Sequence, residues 1–253
     1  MLPSWQLQIP IDAIIFDCDG TLSTIEGIDE LARENGVSQT VQDLTAQAME
    51  RTGIYPELYQ RRLELTRPTK QQVLDLGQRY FDHQVTDAHQ VIQIFTRLEK
   101  PVFIISAGLA LSVTMFGEQL GIPAKNIFAI DILFDENGNY LSFDTTSSLT
   151  QTNGKRHIVE RLKLQYPNLI FVGDGLNDLP AFDLVTRFVG YGGSFYRENI
   201  AARCDFYIKT PTMSPLLPLS LMAEECKKLT ATEQLTYQKG LDLIIQDKVS
   251  LPL

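Results

Sequence analysis

The chain has 253 residues, 44% of them hydrophobic and 21% charged, an ordinary globular composition that excludes collagen-like, mucin-like and largely disordered chains. Its net charge of −9, with no basic patch visible, argues against nucleic acid or an anionic membrane face as partner. The three cysteines (Cys18, Cys204, Cys226) and three histidines (His83, His89, His157) form neither a disulfide framework nor a zinc site, and the N-terminus lacks a signal-peptide pattern. A reducing, cytoplasmic setting is expected, and no apolar run approaches the roughly 20 residues of a membrane span.

In chain order, the first buried strand is expected at Ala13–Phe16, closed by the turn DCDGT. The interval up to Val102 is too long for one crossover and carries several helical periodicities: Ile28/Leu31/Ala32, Val41/Leu44/Ala48, Leu58 onward, Val73/Leu76/Tyr80 and Val91/Ile92/Phe95. It reads as a mostly helical insertion, the last helix returning to the core; a plain multi-helix crossover without a cap role is the alternative. Val102–Ile105 is a second strand ending in SAG, followed by a helix on Leu109, Val113, Phe116 and Leu120. Residues 132–143 (ILFDENGNYLSF) predict a small hairpin. Lys155 opens a helix with Ile158, Val159 and Leu162, and Leu169–Val172 is a third strand ending in GDG. Phe188–Gly190 and Phe206–Ile208 are two further short strands, and the tail reads as helical on Leu229, Leu235, Leu241 and Ile245. Apolar runs without alternation suit a parallel sheet covered on both faces, so the fold class is α/β.

The chemistry gathers where such a sheet binds ligands, beyond the carboxyl ends of its strands. Asp17 and Asp19 follow the first strand, Ser106 the second, and Asp174 and Asp178 the third. Several carboxylates in one crevice repel each other, and an all-oxygen set of this kind suits Mg²⁺ beside a substrate phosphate. Ser106 and Lys155 would donate to that phosphate. Each motif alone has a plainer reading: a DxD turn, a serine helix cap, a surface lysine, a GDG loop. Their joint occurrence in order makes the chemical reading the better one.

DCDGT, SAG, Lys155 and GDGLND together resemble the four motifs of haloacid dehalogenase-like phosphatases. The segments FDCDGTLSTIEGIDELARENGV, LTAQAM, RRLEL, IPAKNIFA, ENGNYLSFD and FVGYGGSFYRENIAARCDFYI are similar to the phosphoserine phosphatase branch, over roughly residues 12–222. The resemblance implies a Rossmann-like three-layer core with a mostly parallel sheet (1–21 and 97–222) and a helical cap inserted after the first strand (22–96); the tail (223–253) has no counterpart in it and is expected to be helical from its own pattern alone. It implies Asp17 as nucleophile and Asp19 as general acid and base. Mg²⁺ would be held by Asp17, Asp174 and the Asp19 carbonyl, with Asp178 beside it. Phosphate would be bound by Ser106, Ala107, Gly108, Lys155 and Asn177, and a small phosphomonoester substrate by Glu26, Arg62 (or Arg61, if the spacing slips by one) and Met49, in a monomer or homodimer. The chain departs from the branch in having Gly20 where Ser is frequent, Ala107 for Gly, Leu109 for an aromatic, and Arg51 near a usual Gly. The alternatives kept open are hydrolysis or transfer on another small phosphomonoester, and a catalytically silent phosphate- or metal-binding regulator.

Overall fold

The computed structural model describes residues 3, 5–48 and 53–251. A seven-stranded sheet runs in the order β3-β2-β1-β6-β7-β8-β9. It is built from β1 (Ala13–Phe16), β2 (Val102–Leu109), β3 (Ile127–Ile130), β6 (Leu169–Gly173), β7 (Arg187–Tyr191), β8 (Phe206–Ile208) and β9 (Val249–Ser250). Every pairing is parallel except β8 with β9. β1 is central, its Ile14 facing Val102 on one side and Ile170 on the other. All residues of β1, β6, β7 and β8 are buried, as expected of parallel strands covered on both faces. β4 (Ile132–Phe134) and β5 (Tyr140–Phe143) form the separate antiparallel hairpin.

Between β1 and β2 lie α1 (Gly27–Glu34), α2 (Ser38–Gln47), α3 (Pro56–Thr66), α4 (Lys70–Asp82) and α5 (Ala88–Arg97). α3 starts on a proline, whose missing N–H costs nothing in a first turn, and stops at Arg67 in a left-handed conformation (φ 41°). α4 opens on a reciprocal cap: Thr69 Oγ1 accepts from the Gln72 N–H at 3.3 Å while Gln72 Oε1 accepts from the Thr69 N–H at 2.9 Å. Its buried residues Val73, Leu76, Gly77 and Tyr80 form one face at helical spacing. After β2 come α6 (Ala110–Gln119) and α7 (Gly154–Lys163), then the short α8 (Glu198–Ala201), α9 (Leu216–Ser220) and α10 (Ala223–Cys226), and finally α11 (Ala231–Ile245).

Some expectations need correction. β2 does not end at Ile105: it continues through Ser106 to Leu109 across a register shift against β3, so the serine sits within an irregular strand end rather than after it. β3 and β9 were not foreseen. In the tail, Leu235 and Ile245 are exposed while Gly240 and Ile244 are buried, because α11 packs through a different face from the one its leucines suggest. The tail is fastened by Arg97–Glu233, by Lys239–Asp87 and by buried Lys100, which reaches Glu225 at 2.6 Å and the Ile11 carbonyl at 2.6 Å.

Candidate active site

The first group of side chains forms where β1, α7 and the loop after β6 meet. Asp17 Oδ1 accepts from the Cys18 N–H at 2.7 Å and from Lys155 Nζ at 2.7 Å. Lys155, in the first turn of α7 and 2% exposed, also reaches Asp178 Oδ1 at 2.6 Å. Burial pulls the lysine toward its neutral form, but Asp17 and Asp178 outweigh it and hold its affinity for the proton above the usual value. Asp178 is pushed up to about 7 by burial and then by Asp17, against the pull of Lys155. Asp174 accepts from Thr21 Oγ1 at 3.2 Å and is paired through Oδ2 with Arg197, which also donates to the Asp174 carbonyl at 3.1 Å. Gly20 turns at φ 69° directly beneath this carboxylate, where a Cβ would lie 2.5 Å from Oδ2; a serine there could not keep the present arrangement.

Asp17, Asp174 and Asp178 each offer an oxygen within 4.8 Å of the others, and all three are buried. Three carboxylate oxygens with no nitrogen or sulfur donor fit a hard divalent cation. Asp178 thus belongs to the same oxygen cluster as the two acids expected to hold metal, while also pairing with Lys155.

Asp19 points the other way, toward the inserted helices. Its Oδ1 accepts from the Gly27 N–H at 2.7 Å and from the Tyr80 hydroxyl at 2.6 Å, and its Oδ2 lies 3.4 Å from Ser106 Oγ. Burial raises its pKa, offset in part by those two donors. Ser106 Oγ in turn accepts from the Gly108 N–H at 2.9 Å. Asn177 is buried, with no partner for its Oδ1 among the described residues.

A cavity joins these groups to the insertion. Asp17, Asp19, Ala107, Gly108 and Asn177 line it from the core, and Glu26, Tyr59, Arg62 and Tyr80 from the insertion, with Ile28, Ile54, Leu63, Leu76 and Leu109 as its apolar wall. Arg62 is 4% exposed; its Nη1 lies 3.4 Å from Thr45 Oγ1, its Nε has no partner among the described residues, and its guanidinium sits 5.7 Å from the Tyr59 ring centre. Glu26, just before α1, faces Arg197 Nη2 at 3.5 Å; burial, and then Asp19, push its pKa up to about 8. The structure therefore brings together Asp17, Asp19, Glu26, Arg62, Ser106, Ala107, Gly108, Lys155, Asp174, Asn177 and Asp178. Met49 and Arg51 lie outside the described residues. Sequence reasoning missed Arg197, a lone loop cation with no periodicity to mark it. It also took Tyr80 for a core position, since a helical apolar face carries no sign that one hydroxyl on it meets an acid.

The family model for haloacid dehalogenase-like hydrolases matches residues 11–184. The chain is 32% identical to the phosphoserine phosphatase of Bos taurus over 199 residues, which is 78% of this chain and 88% of that protein. It is 31% identical to the chloroplastic phosphoserine phosphatase of Arabidopsis thaliana over 205 residues, 78% of this chain and 68% of that one. A solved structure titled as a phospho-aspartyl intermediate analogue of phosphoserine phosphatase superposes with a TM-score of 0.73 at 24% identity, covering 83% of this chain and 98% of that chain, a likeness of fold. With the parallel sheet, the acids at its strand tips and these relatives in agreement, the chain belongs to the haloacid dehalogenase-like hydrolases, in their phosphoserine phosphatase branch.

Proposed function

We propose that this enzyme hydrolyses O-phosphoserine to serine and phosphate through an aspartyl-phosphate on Asp17. The observation that carries the reading is one cavity lined by the Asp17/Asp19 pair, Arg62 and Glu26. A phosphoester with a carboxylate and an ammonium matches that set: the Arg62 fork suits the carboxylate, and Glu26, which burial keeps largely neutral in the free enzyme, takes up its charge against the arriving ammonium. Asp17 attacks phosphorus, and Lys155 beside it, kept protonated by its two carboxylate partners, offsets the charge of the phosphoryl oxygens. Ser106 and the main chain at Ala107–Gly108 donate to the same oxygens, as does the Asn177 amide. Asp19, whose burial favours its protonated form, gives a proton to the departing serine oxygen and then takes one from the water that opens the acyl phosphate. Asp17, Asp174 and the Asp19 carbonyl, with Asp178 adjoining, would hold Mg²⁺, which supplies Lewis-acid polarisation of the phosphoryl group.

In this reading residues 22–96 form the cap over the strand ends, and its opening admits substrate while its closure excludes water. The three free cysteines agree with a cytoplasmic setting. Phosphate release from a panel of small phosphomonoesters, with and without Mg²⁺, tests the proposal. Phosphoserine is expected to be the preferred ester. A clear preference for an ester lacking the carboxylate or the ammonium would overturn the substrate and leave the phosphatase chemistry standing.

A further inference from the structure

The Asp19 carboxylate is held asymmetrically. Both of its close donors, the Gly27 N–H at 2.7 Å and the Tyr80 hydroxyl at 2.6 Å, fall on Oδ1. Among the described residues Oδ2 has only the 3.4 Å approach of Ser106 Oγ, and it faces Gly108, where an added methyl would stand 3.0 Å away. Two donors on Oδ1 leave little room for a proton there, so a proton on Asp19 sits on Oδ2, toward the phosphate-binding groups.

We infer that Tyr80 is a positioning residue for the reaction, one that fixes Asp19 so that Oδ2 meets the leaving oxygen of the substrate. The inference rests on the phosphatase reading above. Several contacts hold the phenol in place. Its ring stacks on Phe116 of α6, with centroids 5.7 Å apart and planes at 30°, and the residue is 1% exposed. Gly27 has no side chain because none fits: a Cβ there would lie 1.9 Å from the Tyr80 hydroxyl and 3.0 Å from Leu76. In the transfer step the proton on Asp19 Oδ2 passes to the ester oxygen as the P–O bond breaks and Asp17 takes the phosphoryl group. Asp19 is then a carboxylate whose free oxygen can accept a proton from the attacking water.

Tyr80→Phe tests this, because it removes the hydroxyl and keeps the stacked ring. For phosphoserine, whose alkoxide needs a proton to depart, kcat/KM is expected to fall about 10–100-fold. For 4-nitrophenyl phosphate, whose phenolate leaves unaided, the change is expected to stay under about threefold. A tyrosine that merely fills space would give equal losses on both esters or none on either, and each of those results overturns the inference. Should Tyr80→Phe not fold, Gly27→Ala carries the same comparison, since its methyl drives the hydroxyl off Asp19. Should the wild type prefer another alkyl phosphate, the proposed substrate falls by itself and that ester replaces phosphoserine in the comparison.

Discussion

Asp17 and Asp19 stand two residues apart on one strand tip, yet they meet different partners. Asp17 faces the core, with Lys155 and the Cys18 N–H on a single oxygen, so its negative charge is answered. Asp19 faces the insertion, and burial there favours its neutral form. One environment suits a nucleophile and the other a proton donor. Asp17→Asn is therefore expected to abolish turnover while the circular dichroism spectrum and the fold remain; activity within tenfold of wild type would contradict the assignment. In the same cavity the buried Arg62 charge acts on Asp29 and lies over the Tyr59 ring, yet Nη1 meets only the Thr45 hydroxyl at 3.4 Å and Nε has no partner among the described residues. A substrate carboxylate would complete it. Losing such a contact is worth about 2–4 kcal/mol, or roughly 30–1000-fold in kcat/KM. Arg62→Ala should thus lose that much on phosphoserine and almost nothing on phosphoethanolamine, which lacks the carboxylate. Glu26→Gln should show the mirror pattern, its penalty following the substrate ammonium. Equal losses on all esters from Arg62→Ala would move the arginine from recognition to scaffolding.

Among the elements, α11 gives the sharpest test of packing. Its Gly240 sits against the main chain of Ser214 and Pro215, where a Cβ would lie 2.2 Å from the Ser214 carbonyl oxygen and 3.0 Å from the Pro215 Cα. Alanine ordinarily favours a helix over glycine by up to about 1 kcal/mol. Here the obstruction is backbone and cannot rotate away, so overpacking wins and Gly240→Ala should destabilise by about 1–3 kcal/mol in urea unfolding. A rise in stability would mean that the tail does not dock in this way. The tail also shows what the sequence could not reveal. β1 and β8 were legible to the residue, because a short apolar run closed by a turn signal has few other readings in an α/β chain. β9 was not, since two residues carry no period and their pairing is set by the free edge of β8. The acids and Lys155 could be read because each belongs to a motif at a strand or helix end. Arg197 and Tyr80 could not, since what they touch depends on how a loop and an inserted helix come to rest over the sheet.

Across the whole molecule, the fold concentrates buried negative charge at one end of the sheet. Asp17, Asp174 and Asp178 crowd within 4.8 Å, with Asp19 and Glu26 beyond them, and the cations in direct contact with these five acids among the described residues are Lys155 and Arg197. The close packing of the parallel strands and the α4–α6 contact through Tyr80 and Phe116 back this end of the sheet, while the tail ties at Lys100 and Arg97 fasten its opposite end. A divalent cation bound only by the folded chain would relieve the repulsion and stabilise the fold by mass action, about 2.7 kcal/mol at a hundredfold excess over its Kd. For a chain of this size that corresponds to a rise in Tm of roughly 5–10 °C. Millimolar Mg²⁺ is therefore expected to raise the melting temperature, and sodium at matched ionic strength is not. The rise should reverse on chelation, together with loss of turnover, and should be absent in Asp174→Asn. Calcium should bind and stabilise yet inhibit, because it favours more oxygen ligands and a looser geometry than an in-line transfer tolerates. A Tm indifferent to Mg²⁺ would show that the three carboxylates are balanced by Lys155 and Arg197 alone, and full activity in excess chelator would show that the chemistry runs without a metal.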